Sequence, residues 1–310
     1  MKTLIRILSS LLLISVVSCK EATPEKKDDL AVNSESRMEK TSKPISEAFK
    51  KYWYAGDAEI TSYELEQSRY GEIRNGKAVL IYVTEPFLKE EQVKADGNKP
   101  DNVPVLKLNS TKKYLTGIYP YSIMSSTFSP VKDSGHALKV SFSAQEWCGQ
   151  VYTQLNNREQ FEIVSHSYFQ SEGDQELELD KNLLENELWN MIRIKPEELP
   201  VGTFEVIPSL EYIRLSHSEL KAYKAILSLT TKAAISSYKI EYPELERTLI
   251  IDFDSEFPYQ IQGWSEYALS GFGENRKKLL STAQKIKTLK TPYWRQNNNS
   301  YLPLRDTLGL

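Results

Sequence analysis

Apolar residues recur at every second position in one segment after another of this chain. That spacing commits it to sheet. Tyr238, Ile240 and Tyr242 alternate, and so do Leu249, Ile251 and Phe253. A turn around Asp254-Ser255-Glu256-Phe257-Pro258 then leads to Tyr259, Ile261 and Gly263, ending near Trp264. Leu138, Val140, Phe142 and Ala144 repeat the pattern. The phase slips near Glu146-Trp147-Cys148-Gly149 and resumes at Val151, Thr153 and Leu155. Such a slip marks a β-bulge or a tight corner. Phe161, Ile163 and Ser165 read as a further strand.

Other segments carry other signals. Ile45, Ala48, Phe49, Tyr52 and Trp53 share one face of a helix that Gly56 stops. Asn75-Gly76 between two apolar arms reads as a type I′ hairpin turn, with Tyr63 and Leu65 on one arm and Val79, Ile81 and Val83 on the other. Residues 90–113 are polar and read as a loop holding one short strand, Val103 to Leu108; residues 117–128 are ambiguous. A middle helix is expected with Asp180 as N-cap, followed by Leu183, Leu184, Glu187, Leu188, Met191 and Ile192. The short run Phe204 to Ile207 comes next, and residues 211–229 fit strand or helix. Leu279, Leu280, Ala283, Ile286 and Leu289 predict a C-terminal helix, and residues 296–310 read as loose. The sum is an α+β, β-dominated fold: a curved, half-barrel-like antiparallel sheet with a few flanking helices, formed by residues 44–310 as one domain.

The amino terminus says where such a domain works. Lys2 and Arg6 precede a short apolar run, and Val16-Val17-Ser18-Cys19 reads as a lipobox. The run is far shorter than the roughly 20 residues of a spanning helix and suits a signal peptide over residues 1–18. Cys19 is then the lipidation site, bearing acyl chains such as palmitate. Each chain contributes about 0.8 kcal/mol per buried methylene, and more than one gives permanent anchoring. Residues 19–43 are polar and read as a disordered tether, spanning roughly 25–30 Å on average. Lys20-Glu21 resembles the short Lys-plus-acid export tags on surface lipoproteins of the Bacteroidota; an ordinary charged tether facing the periplasm is the other reading. The location expected is the outer membrane, facing periplasm or cell surface. After Cys19 no apolar segment is long enough to cross a bilayer.

Composition narrows the chemistry. The net charge of −3 calls for no nucleic acid. With Cys19 lipidated, Cys148 is alone, so no internal disulfide or paired-cysteine metal site can form. Cys148 as a nucleophile needs a partner from His136, His166 and His217; the plainer reading is a buried or half-buried thiol at the bend. His166, between Ser165 and Ser167, reads as a structural histidine before a reactive one. Asp252, Asp254 and Glu256 share one side of a strand and could hold a hard cation, but a solvated turn explains them as well. Walker A, dinucleotide, His-Glu-x-x-His and Gly-x-Ser-x-Gly motifs are missing. No cofactor, metal site or catalytic residue is expected.

Several short runs carry a resemblance. Trp53-Tyr54-Ala55-Gly56, Ser62-Tyr63-Glu64-Leu65, Gln145-Glu146-Trp147-Cys148-Gly149, Tyr152-Thr153-Gln154-Leu155-Asn156 and Glu185-Asn186-Glu187-Leu188-Trp189 resemble an envelope lipoprotein family of flavobacteria and their relatives, over nearly the whole mature chain. Members are often labelled septum formation inhibitor Maf. True Maf pyrophosphatases open with a Ser-x-x-Arg phosphate-binding segment after a first strand, and none opens this chain. The resemblance therefore implies location and no catalytic residue. Residues 238–264 also look like the closing strands of periplasmic half-barrel proteins, lipoprotein carriers among them.

The function expected is non-catalytic: binding or assembly in the envelope, with a lipid or other apolar ligand in the concave face. Trp147, Tyr152, Tyr168 and Trp264 are the candidate ligand contacts. An open apolar cavity would favour this reading. A structural partner of an envelope complex would show an exposed apolar patch instead. A hydrolase using carboxylates or Cys148 would show convergent polar groups with perturbed titration.

Overall fold

The alternating segments all join one sheet. The computed structural model describes residues 45–132 and 135–310, in which sixteen strands hydrogen-bond together. The first half supplies β1 (Ala58–Arg69), β2 (Glu72–Leu88), β3 (Val93–Lys94), β4 (Val103–Thr116), β5 (Tyr119–Pro130), β6 (Lys139–Glu146), β7 (Gly149–Asn157), β8 (Phe161–Ser167) and β9 (Gln175–Leu179). The second supplies β10 (Leu183–Leu184), β11 (Gly202–Ile207), β12 (Tyr223–Lys232), β13 (Ile235–Tyr242), β14 (Arg247–Asp254), β15 (Ile261–Ser270) and β16 (Lys277–Thr291). The helices are α1 (Glu47–Trp53), α2 (Glu185–Ile194), α3 (Leu210–Ser216) and α4 (Pro303–Thr307). This is the β-dominated α+β fold with a curved antiparallel sheet that the alternation implies. The signal, lipidation and tether expectations fall on residues outside those described. Among the described residues no helix is long and apolar enough to cross a membrane.

Across the sheet the strands run from β10 through β16 to β1, β2 and β4, and on to β9, with β3 paired beside β2. Only β10 and β11 pair in parallel. The outermost strands, β9 and β10, are consecutive in the chain and separated by residues 180–182. So short a link spans at most about 14 Å. The sheet must curl until its two edges meet there, and its concave face becomes an interior. That interior holds Phe49 and Trp53 of α1, Leu188 and Ile192 of α2, and inward residues such as Tyr63, Leu80, Phe142 and Tyr238.

Several elements differ from expectation. The first hairpin closes at Tyr70-Gly71, where φ is 57° and 76°, with Arg69 opposite Glu72. Both central residues meet the positive-φ demand of a two-residue turn. Asn75-Gly76 lies inside β2. A turn there would set Arg74 against Lys77, a like-charge pair that destabilises. Gly76 answers a different need: a Cβ there would fall 2.2 Å from the Lys113 carbonyl oxygen of β4. The inward side chains of β2 are Ala78, Leu80 and Tyr82, while Val79, Ile81 and Val83 pack on the outer side with Leu289 and Leu308.

The expected C-terminal helix is strand β16, held between β15 and β1 in the middle of the sheet. As a helix it would strand two edges full of unpaired backbone groups. The 90–113 loop is shorter than expected, because β4 begins at Val103, and residues 119–130 form β5. The corner at Trp147-Cys148 is a two-residue turn, with Glu146 opposite Gly149. Helix α2 starts after Leu184, not at Asp180; Glu187 accepts from the Leu184 N–H at 3.1 Å. Residues 211–229 split into α3, stopped by His217 at φ 56°, and β12. Nor is the tail loose: Leu308 is buried against Ala58, Ile60 and Val83, and the Ser62 hydroxyl donates to its carbonyl.

Candidate functional site

Helix α2 is the pillar of the interior, and polar groups fix it at both ends. Near its start, Glu185 is buried and accepts from both terminal nitrogens of Arg247, the Nη2 contact being 2.8 Å. The Tyr242 hydroxyl donates to Glu185 at 2.9 Å. Burial raises the Glu185 pKa, but the charge and hydrogen bonds of Arg247 outweigh it, and the carboxyl sits below its ordinary value. Near its end, Arg193 donates to both oxygens of Glu59 at 2.6 and 2.8 Å and to the Pro258 carbonyl at 3.1 Å. Burial and Arg193 act on Glu59 in the same opposed way, and its pKa is again lowered. An acid in the first turn and a base in the last also suit the helix dipole. Midway, Asn190 donates to the Leu106 carbonyl at 2.8 Å and the Ser129 hydroxyl at 3.0 Å.

The two ends differ in what covers them. At the Arg193 end, α1 brings Trp53 to 4.9 Å from the guanidinium, and Tyr82 lies at 4.6 Å. At the Glu185 end, α3 lies over the sheet and leaves a cavity of about 570 Å³. Leu80, Leu108, Leu249, Trp189 and Trp264 form its apolar wall. Trp189 and Trp264 meet edge to face at 5.3 Å. Lys112 bonds Glu211 at 2.7 Å and stands 5.8 Å above the Trp264 ring. Ser110, Ser125, Thr127, Asn186 and Ser209 add hydroxyls and an amide. The lining is mixed, not simply apolar.

The four aromatic candidates do not meet in the concave face. Trp264 is 6 % exposed and lines the cavity, whereas Trp147 and Tyr168 are 70 % and 75 % exposed and Tyr152 is half-exposed. Those three belong to β7 and to the turns flanking β7 and β8, away from α2. Cys148 is exposed in its turn, not buried. A hydrogen bond and charge from Glu146 push its thiol pKa up, the reverse of what a nucleophile needs. His166 is exposed, 3.4 Å from Asp174. His136 meets Glu187 at 2.8 Å, and His217 meets Glu172 at 2.9 Å. Asp252 accepts from Ser237 and Asp254 from Gln262. Among the described residues no group of three or more His, Cys, Asp or Glu could hold a metal.

The polar cavity residues Glu185, Arg247, Lys112 and Glu211 escaped the sequence reading. One signal was present: Glu185 and Arg193 fall on the helix face that Leu188 and Ile192 spell out, at i, i+3, i+7 and i+8. Charges on an apolar face ask for buried partners. Those partners are far away in sequence, so no motif links them. Comparison with known proteins finds no matching family model, no matching characterised protein and no matching solved structure.

Proposed function

We propose that this chain is a lipid-anchored envelope protein whose folded body binds a small amphipathic ligand without transforming it. The carrying observation is the cavity of about 570 Å³ between α2, α3 and the concave sheet. Its size falls in the range of ordinary ligand sites, and it combines an apolar wall with convergent polar groups. The apolar part of the ligand would lie on Trp189, Trp264 and Leu108. The polar part would meet the serines and charged groups. The mixed lining favours an amphiphile over a purely apolar lipid.

Binding fits the carboxylates better than hydrolysis does. A general acid needs a raised pKa. Glu185 is held low by Arg247, Glu211 is paired with Lys112, and Glu266 is paired with Arg247. Native mass spectrometry of the full chain tests the proposal. A reproducible extra mass that organic extraction identifies as an amphiphile is expected. A clean apo mass, with no uptake from an envelope lipid extract, would sink it.

A second reading has its own observation. Consecutive antiparallel hairpins place the turns after β4, β6 and β8 at one end of the sheet. Those turns expose Ile118, Trp147 and Tyr168, with Tyr119 and Trp147 rings 6.5 Å apart. An exposed cluster of this kind fits an envelope partner. Crosslinking from residue 118 in intact cells should trap one protein species; a smear or nothing would discard this reading.

A further inference from the structure

Three arginines are buried among the described residues: Arg69, Arg193 and Arg247. Two face carboxylates. Arg193 is bound to Glu59, and Arg247 to Glu185 and Glu266. Arg69 is 6 % exposed, lines the cavity, and forms no ion pair with any described Asp or Glu. Glu72, directly opposite it across the β1–β2 turn, is taken by Arg74 at 2.6 Å.

What surrounds Arg69 supplies hydrogen bonds but no counter-charge. Its Nη1 donates to the Leu215 carbonyl at 2.7 Å. Its Nη2 reaches the Tyr70 and Tyr121 hydroxyls at 3.3 and 3.2 Å, and Nε has no acceptor among the described residues. The rings of Tyr70 and Tyr121 stand 4.2 and 5.3 Å from the guanidinium carbon. Burial raises the Tyr70 pKa, so that phenol stays neutral. A guanidinium does not shed its proton in a protein, and a buried charge is ordinarily paired.

The cavity's other buried charges are already matched; Arg276, Glu244 and Glu246 also line it but are exposed. Glu211 has Lys112, and Glu185 and Glu266 share Arg247. Glu244 and Glu246 sit on the β13–β14 turn, and β14 lies three strands from β1, about 14 Å across the sheet. We infer that the ligand carries an oxyanion, a carboxylate or a phosphate ester joined to an apolar body, and that Arg69 receives it. This rests on the ligand-binding reading above and names the class of ligand.

Two fluorescent dyes isolate the charge. Anilinonaphthalene sulfonate carries an anionic group, and N-phenyl-1-naphthylamine is its neutral counterpart. The full chain should bind both, the sulfonate at least about tenfold more tightly, since charged hydrogen bonds are the strong ones. Arg69→Gln should abolish that advantage and leave the neutral dye unchanged, while Arg69→Lys keeps part of it. Ala268→Trp, which fills the cavity, should remove both. A sulfonate no tighter than the neutral dye, or an advantage that survives Arg69→Gln, overturns the anion site while ligand binding stands. If neither dye binds, or if both survive Ala268→Trp, the cavity reading itself fails. Should Arg69→Gln not fold, the wild-type ratio and Arg69→Lys still decide.

Discussion

The interior has a filled half and a hollow half, joined by one helix. Around the end of α2, Arg193 is flanked by the Trp53 and Tyr82 rings, and each of its nitrogens donates to Glu59 or to the Pro258 carbonyl. Around its start, Glu185 and Arg247 are paired just as tightly, yet about 570 Å³ stays open beside them. Charge balance is therefore not what separates the halves. The covering element is. Helix α1 delivers two large buried aromatics, Phe49 and Trp53, whereas α3 presents Ser209, Leu215 and Ser216 to the cavity beside Tyr212. Rigid support and open volume coexist because the supporting polar groups are spent on each other.

The strongest way to break this comparison is to remove one partner from each pair. Arg193→Leu leaves Glu59 buried and unpaired, and should cost about 3–5 kcal/mol of unfolding free energy. Glu185→Gln leaves Arg247 with Glu266, whose carboxylate already accepts from its Nε, and should cost less, about 1–3 kcal/mol. Urea unfolding of both variants measures the asymmetry. Equal losses would mean that the halves are not differently buffered.

Acid probes both pairs together. Glu59 and Glu185 have pKa values lowered below the ordinary 4.5. Folding is therefore favoured by their ionisation. That contribution is complete above pH 4.5, shrinks as pH falls through it, and is gone below the folded-state values. Denaturation midpoints should be flat with respect to these groups from pH 7 to 5 and should drop steeply below. In Glu185→Gln the drop should be shallower; an unchanged slope would remove Glu185 from the account.

Packing gives a smaller contrast. Ala78 is fully buried and does not itself line the cavity, so Ala78→Leu should cost about 1–3 kcal/mol. Ala268 lines the cavity, so Ala268→Leu should cost under about 1 kcal/mol while weakening binding of the neutral dye. Thermal melts with dye titration check both. The smallest effect belongs to Cys148. Cys148→Ser should leave stability and dye binding unchanged. The native thiol should react with maleimide without denaturant, yet more slowly at neutral pH than a free thiol, because Glu146 depresses its thiolate fraction. Native labelling as fast as that of a free thiol would contradict the Glu146 contact.

How far the chain could be read depended on how local each cause was. Alternation found β6, β7, β8, β13 and β14 because their inward residues are spaced by two within one segment. The corner at Trp147-Cys148 was legible for the same reason. Asn75-Gly76 misled because two turn signals lie five residues apart, and the turn at Tyr70-Gly71 sets Lys77 against Glu64 instead of against Arg74. Helical spacing in residues 279–289 misled because it says nothing of neighbours, and β15 and β1 both needed a strand between them. Trp264 is legible as an aromatic near a strand end, whereas nothing in the sequence singles out Arg69.

The sequence alone determined the class of structure: strands by their period of two, a helix at residues 47–53 by its apolar face, and a domain that relies on no disulfide. Only the tertiary structure decided where the interior is hollow. That depends on which segments meet across the curled sheet, on Arg247 reaching back to Glu185, Glu211 to Lys112, and α3 settling over Trp189 and Trp264. The two ion pairs join residues 62 and 99 positions apart. Local propensity carries no information about them, because they exist only once the edges at β9 and β10 have been drawn together.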